Sequence, residues 1–350
     1  MSETPKVDML AIARDAQWSA DTFLGAGSIK LVSPAKVNLF LGVGARRPDG
    51  YHDVVNVMHA VALHDVMYVR CAPADGEAFE DMEGKDHLAV GGPEQNVLVS
   101  IDLTDKTAAA GSEPLRIPAR ENIIFKAIDA LACALGRTQR EQVSVRLEKN
   151  IPHEGGLGGG SSNAATALVA MACLWGLAPD DAAVADVARS LGADVAFFLH
   201  GGCALFTGAG ELFDHALSPR KDPVVLVKPP AGVSTAAAYH AFDEDPQLVP
   251  ARLSEQALAA ASAAEVPLVN NLAPVSEGLS PELAEVRAWL EAQPGVRAGE
   301  VLLCGSGATT FAVTEDFAAA CAVAAVAQAR GWWARATTFS SLRSAKLPRR

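Results

Sequence analysis

Basic charge is in short supply in this chain. Lysine and arginine number 29 against 41 aspartates and glutamates, a net charge of −12. That balance excludes nucleic-acid binding by a general basic surface. It leaves room for an anionic small ligand, because loops and helix ends set the local field. Cysteine pairs at C-x-x-C spacing are absent too. The six cysteines, at 71, 133, 173, 203, 304 and 321, fall mostly in apolar runs, and free thiols in a reducing compartment are expected. No uncharged apolar run reaches the roughly 18–20 residues that cross a bilayer; the alanine-rich 164–178 comes nearest. Glu3, Lys6, Asp8, Arg14 and Asp15 interrupt the region where a signal peptide would be apolar. The expected location is the cytoplasm, with neither membrane nor nucleic acid as partner. Monomer and homodimer stay equally open.

What is present is a packed enzyme's composition: 350 residues, half of them hydrophobic and 20% charged, enough for two domains. Residues 1–27 read as an N-terminal extension, 28–218 as one domain and 219–345 as a second. The boundary is placed in 215–222, ahead of the strand 222-DPVVLVKPP-230. The β-branched stretch 28–71 predicts two or three strands turning at Pro-Asp-Gly. A strand is expected at 97–103 and a helix over 121–136, closed by Gly136. A strand over 142–152 precedes a helix from about Ser162 to Trp175 and a short one over 180–190. The run 191-LGADVAFFLHGGCALFTGAGE-211 predicts strand pieces, with Asp194 as a turn or cap residue before them. After 222–230 the pattern is strand, helix, helix (281–292), strand (298–304), strand (308–313), helix (316–330) and strand (334–340). This alternation suits a ferredoxin-like α+β sandwich.

The segment 151-IPHEGGLGGGSSNAA-165 puts five glycines, 155, 156, 158, 159 and 160, into six positions. A strand, then glycines, then Ser161-Ser162-Asn163 at a helix start forms a phosphate cradle, since helix N-termini present unpaired N–H groups. Glycine lets backbone approach a phosphate closely. The hydroxyls of Ser161 and Ser162 can cap the helix or contact phosphate and Mg²⁺. A Walker A loop would end in Gly-Lys-Ser/Thr, and no lysine follows here. A dinucleotide fingerprint starting at Gly156 would need a third glycine where Ser161 stands. In 33-SPAKVNLFLGV-43, strand alternation sends Lys36, Asn38 and Phe40 to one side. A lysine on an apolar strand needs a partner or a cleft. The small-residue loop 304-CGSGATTF-311 lies between two strands. Histidines 59, 64, 153 and 200 lack metal-ligand spacing, and no metal ligand is assigned.

Taken together, Pro34-Ala-Lys-Val-Asn38, the glycine loop at 152–163 and Gly305-Ser-Gly-Ala308 resemble the three ordered motifs of the GHMP kinase superfamily. The resemblance covers roughly 30–340. It implies an α+β, two-domain GHMP kinase fold, with an N-terminal domain like ribosomal protein S5 and a ferredoxin-like C-terminal domain. The further segments 46-RRPDGYH-52, GGLGGGSSNAA and LGADVAFF are most similar to one branch of it. That branch phosphorylates the 2-hydroxyl of 4-diphosphocytidyl-2-C-methyl-D-erythritol in non-mevalonate isoprenoid precursor synthesis, using ATP and Mg²⁺.

By that resemblance Asp194 would be the base, Lys36 its charge partner and Asn38 their support. Pro152, His153, Glu154, Gly155, Gly156, Leu157, Gly158, Gly159, Gly160, Ser161 and Ser162 would wrap the ATP phosphates, with Asn163 just behind. Tyr51, His52 and Tyr239 would hold the cytosine of a substrate carrying a cytidine diphosphate group, with Thr235 nearby. Gly305, Ser306 and Gly307 would back the site from the second domain. Other readings are a superfamily kinase for a small alcohol such as homoserine or a sugar, and a non-catalytic nucleotide-binding module. The chain departs from the family pattern at Glu154, which takes the place of a glycine. A carboxylate beside polyphosphate is repulsive, so Glu154 is expected to point away or to hold metal through water. Residues 72–120 also look longer than the family needs.

Overall fold

The structure, a computed structural model, describes residues 25–74, 87–92, 95–107, 115–178 and 180–347. Most of the expected extension, and much of the 72–120 excursion, lie outside the described residues. Strands β1 (Ile29–Arg46), β2 (His52–Pro73), β3 (His87–Val90) and β4 (Val97–Asp105) precede helix α1 (Ile123–Ala134) and strand β5 (Glu141–Lys149). Helices α2 (Gly159–Leu174), α3 (Ala182–Leu191) and α4 (Ala193–His200) follow, then β6 (Cys203–Thr207) and β7 (Leu212–Leu217). The second half comprises β8 (Pro223–Lys228), α5 (Thr235–Glu244), α6 (Ala251–Ala259), β9 (Val269–Asn270), α7 (Ala273–Leu279), α8 (Pro281–Glu291), β10 (Val296–Leu303), β11 (Thr310–Thr314), α9 (Phe317–Ala329), β12 (Trp333–Thr338) and β13 (Ala345–Lys346).

Two sheets result. The larger runs β13-β1-β2-β5-β4-β3, with β6 on β2, β7 on β6 and β9 on β1. The smaller runs β10-β11-β8-β12, all antiparallel. Renumbered in chain order that is 2-3-1-4, the strand order of a ferredoxin-like sandwich, as the alternation predicts. On β8, Val224 and Leu226 face the core between the sheets, while Val225 and Val227 face α8 and α9. Both faces of this strand are buried, so it reads as an unbroken apolar run. Helices α1 to α4 cover one face of the large sheet over a separate core.

Several elements differ from their sequence reading, each for a local reason. The apolar run after Asp194 is helix α4, not strand. Gly192, with φ +146, starts it, and Phe197 near its end packs against Phe198 and Phe206. Short apolar runs do not distinguish buried helix from buried strand. Helix α2 begins at Gly159, three residues before the expected Ser162, because Gly158 at φ +69 takes the N-cap. Four helices, not two, separate β8 from β10, and β3 was not anticipated. A β-bulge between Asn38 and Phe40 breaks the alternation. Phe40 therefore packs with Val37 and Leu39 in the core between the sheets, and Leu41 takes its place beside Lys36 and Asn38.

Candidate active site

Lys36 and Asn38 meet in the middle of β1. The Lys36 Nζ donates to Asn38 Oδ1 at 2.8 Å, and Asn38 Nδ2 donates on to Asn56 Oδ1 at 2.8 Å. Asp194 stands in the first turn of α4, where unpaired helix N–H groups favour negative charge. Its carboxylate lies 3.6 Å from Lys36 Nζ. The lysine side chain is 5% exposed and the aspartate 33%, so a buried amine faces a carboxylate that solvent or a ligand can reach. Both line a cavity of about 230 Å³ with Gly156, Gly158, Thr235, Tyr239, Gly305 and Ser306.

The glycine loop is clamped on one side and open on the other. Leu157 O accepts from Lys36 N at 3.0 Å, and Gly155 O accepts from Thr309 N at 3.0 Å. A Cβ on Gly156 would stand 2.3 Å from Cys304 O, so only glycine fits that approach. Leu157 is buried in the core between the sheets. The other wall, from Pro152 to Ser161, faces a cavity of about 320 Å³ that also reaches Lys149 and Asn163. The Ser162 hydroxyl is not on that wall. It accepts from Ser33 Oγ beneath the loop, so of the two serines only Ser161 can face a phosphate.

Glu154 points to solvent. Its side chain is 83% exposed and its backbone sits at φ +52, a conformation that glycine adopts without cost. His153 beside it is also exposed. Burial lowers the pKa of the Lys228 amine on β8, and the charge of Glu154 opposes that shift.

A third cavity of about 620 Å³ continues from the first, sharing Val54, Ala209, Thr235 and Tyr239. Tyr51 and His52 line it from the β1–β2 turn, and Tyr239 from α5. Tyr51 is 63% exposed, which leaves it open to a flat ligand. His52 Nδ1 donates to Gly44 O at 2.9 Å, and its ring lies 5.4 Å from Tyr239. Burial, then the charge of Asp194, raise the Tyr239 phenol. Thr235 Oγ1 bonds Ser306 Oγ at 2.9 Å. Gly305 and Ser306 reach the cavity; Gly307 does not, and packs towards Leu283 and Leu303 behind it.

Two family descriptions match the chain. GHMP kinases N terminal domain covers residues 122–202 and GHMP kinases C terminal covers 254–331. A 4-diphosphocytidyl-2-C-methyl-D-erythritol kinase from Pelotomaculum thermopropionicum is 38% identical over 85% of this chain and 93% of its own length. The chain belongs to the GHMP kinases. A kinase of the same name from Streptomyces coelicolor is 34% identical over 87% of this chain and 93% of that one. A crystal structure of 4-(cytidine 5'-diphospho)-2C-methyl-D-erythritol kinase superposes with TM-score 0.65 at 32% identity, over 89% of this chain and 99% of that one. A homoserine kinase structure from Cytophaga hutchinsonii, at 17% identity and TM-score 0.61 over 91% of this chain and 97% of that one, shares the fold.

Sequence reasoning missed several residues of this GHMP kinase's site. Asp65 is fully buried and accepts from Lys149 Nζ at 2.7 Å, Asn150 N at 2.7 Å, Ile151 N at 2.8 Å and Asn163 Nδ2 at 3.0 Å. It ties the strand entering the glycine loop to the helix leaving it. The signal was a lone carboxylate in the apolar run 60-AVALHDVMYV-69. Asn270 Nδ2 donates to the carbonyls of Leu303 and Gly305 and so holds the second loop. Asn56 completes the Lys36–Asn38 chain. Among the described residues, no three His, Cys, Asp or Glu side chains cluster to hold a metal.

Proposed function

We propose that this protein transfers the γ-phosphoryl group of ATP to the 2-hydroxyl of 4-diphosphocytidyl-2-C-methyl-D-erythritol, a step of isoprenoid precursor synthesis. One observation carries the reading: the Lys36–Asp194 pair, 3.6 Å apart, lines the central cavity, which shares Gly156 and Gly158 with the glycine-loop cavity and Thr235 and Tyr239 with the aromatic cavity. The triphosphate occupies the open wall of residues 152–161, the cytosine lies against Tyr51 and Tyr239, and the alcohol reaches between them. Residues 28–218 carry most of the nucleotide side. Residues 219–345 close the site through Thr235, Tyr239, Gly305 and Ser306.

In the reaction the 2-hydroxyl oxygen bonds to the γ-phosphorus as the bond to the ADP oxygen breaks. Asp194 accepts the hydroxyl proton. Lys36, held by Asn38, offsets charge developing on the transferred group, and the amides of residues 158–161 orient the phosphates. Mg²⁺ fits this site as an ion that arrives with the nucleotide, since it binds through phosphates, water and one or two carboxylates. Asp194 would supply a carboxylate to it, and the ion would neutralise phosphate charge. Base stacking is worth roughly 1–3 kcal/mol per aromatic contact, so an acidic protein can hold a nucleotide substrate without a basic surface.

The test supplies the purified chain with ATP, Mg²⁺ and the cytidine substrate, alongside homoserine and a sugar. ADP release with the cytidine substrate is expected. Release only with a small alcohol defeats the substrate assignment. Asp194→Asn is expected to lower kcat by about 10²–10⁴-fold with ATP binding kept.

A further inference from the structure

We infer that Asp243 selects the base of the substrate, accepting a hydrogen bond from the exocyclic amine of cytosine. The inference rests on the substrate reading above and deepens it.

Asp243 lies in the last turn of α5 and lines the aromatic cavity with Arg46, Tyr51, His52 and Tyr239. Its side chain is 27% exposed, so a ligand can reach it. One carboxylate oxygen stands 3.2 Å from His52 Nε2 and the other 3.5 Å from the Arg46 guanidinium. A carboxylate offers about four acceptor positions, and these contacts leave at least two of them open to a ligand donor. The carboxylate is also fixed. The His52 Nδ1–H donates to Gly44 O, which turns Nε2 towards Asp243, and Phe242, the residue before it, is fully buried against the His52 ring. A rigid acceptor therefore projects into a cavity whose walls are aromatic.

Shape alone does not separate cytosine from uracil, because both are flat pyrimidines of equal size. Their edges differ. Cytosine carries an N4 amine, a donor, where uracil carries an O4 carbonyl, an acceptor. A carboxylate receives the amine and repels the carbonyl, and Asp and Glu recognise the cytosine amine in this way. Arg46 on the flank, 3.5 Å away, offsets the aspartate charge, so the charge stays in the pocket without a cation from the ligand.

The experiment compares the cytidine substrate with the same molecule carrying uracil, in the full-length enzyme and in Asp243→Asn. The asparagine keeps the shape and can turn a donor to O4. The unmutated enzyme is expected to prefer the cytidine form. In the variant that preference, taken as the ratio of kcat/KM values, is expected to fall by about fivefold or more, mainly through KM, with KM for ATP unchanged. A smaller fall, or equal losses on both substrates, overturns the assignment and leaves Asp243 as a support for His52. Asp243→Glu is expected to restore part of the preference. Cytidine diphosphate and uridine diphosphate binding to the unmutated protein, measured by calorimetry, gives a readout independent of the variants; equal affinities overturn the inference. If the unmutated enzyme turns over neither substrate, the function reading fails with it, which distinguishes that failure from a failure at Asp243 alone.

Discussion

Glu154 occupies a backbone conformation that costs a side-chain-bearing residue about 1 kcal/mol or more. Little in its surroundings offsets that cost: His153 is 4.0 Å away, and the attraction of Lys228 acts on a side chain that is 83% exposed. Glu154→Gly is expected to raise stability by on the order of 1 kcal/mol, read as a higher melting temperature. KM for ATP should change less than about threefold, since a solvent-pointing carboxylate in high dielectric acts weakly. A marked fall in that KM would show that the carboxylate repels the phosphates. At this scale the sequence is legible where a residue type conflicts with its setting. Lys36 and Asn38 on an apolar strand announce themselves, whereas Asp194 by itself reads as a turn or cap residue and stands out only through the family resemblance. Phe40 does not, because one inserted residue in the β1–β2 pairing reverses the side it faces. Asp243 was hidden by its setting, an ordinary polar helix end.

Elements are held around the site by a buried polar network rather than by loop contacts alone. Asp65 joins β2 to both ends of the glycine loop, and Asn163 Nδ2 also donates to Ser33 Oγ at 2.8 Å. Asp65→Asn keeps one acceptor for the two backbone N–H groups, but it turns an amide donor against Lys149 and Asn163. Removing one partner of a buried ion pair costs roughly 3–5 kcal/mol. Urea unfolding should show a loss of that order, with a rise in KM for ATP as the loop loosens. Adding Lys149→Met should recover part of the stability. The helix and strand pattern was readable through periodicity and stop signals: Gly136, at φ +59, follows the C-terminal cap of α1. Helix α2 was misplaced at its start because its first turn is glycine, a residue that propensity argues against and that here frees the amides.

At the scale of the whole molecule, the two halves meet at His59. This buried ring in β2 donates from Nδ1 to Ala60 O and accepts at Nε2 from Arg220 N in the connection between the sheets. Burial, with a smaller contribution from the Arg220 charge, lowers its pKa to about 4, and Asp222 opposes the shift. The unfolded chain takes up a proton near the ordinary value of 6.5, before the folded chain does. Stability from this site is therefore complete above pH 6.5 and declines as pH falls towards about 4, by roughly 3 kcal/mol in all. Urea unfolding at pH 7 and pH 5 should show the decline, and His59→Gln, which keeps a donor and an acceptor, should lessen it. The ferredoxin-like half was legible from its alternating elements. The returns of β9 and β13 to β1 were not, since a two-residue strand carries no periodicity.

Those returns govern the order in which the protein can be made. Beyond β2, the partners of β1 are β9 and β13, which follow it in the chain by more than two hundred residues. While the ribosome is still adding the second half, β1 is unpaired opposite β2 at Leu31–Val32 and Phe40–Leu41, and such open edges recruit strands from other molecules. Ser344 Oγ then accepts from the Thr166 hydroxyl and Ser344 N donates to Phe198 O, so the nucleotide half is sealed only by residues translated long after its own strands and helices. A nascent chain of this kinase must therefore keep that edge open until β9 and β13 have left the ribosome.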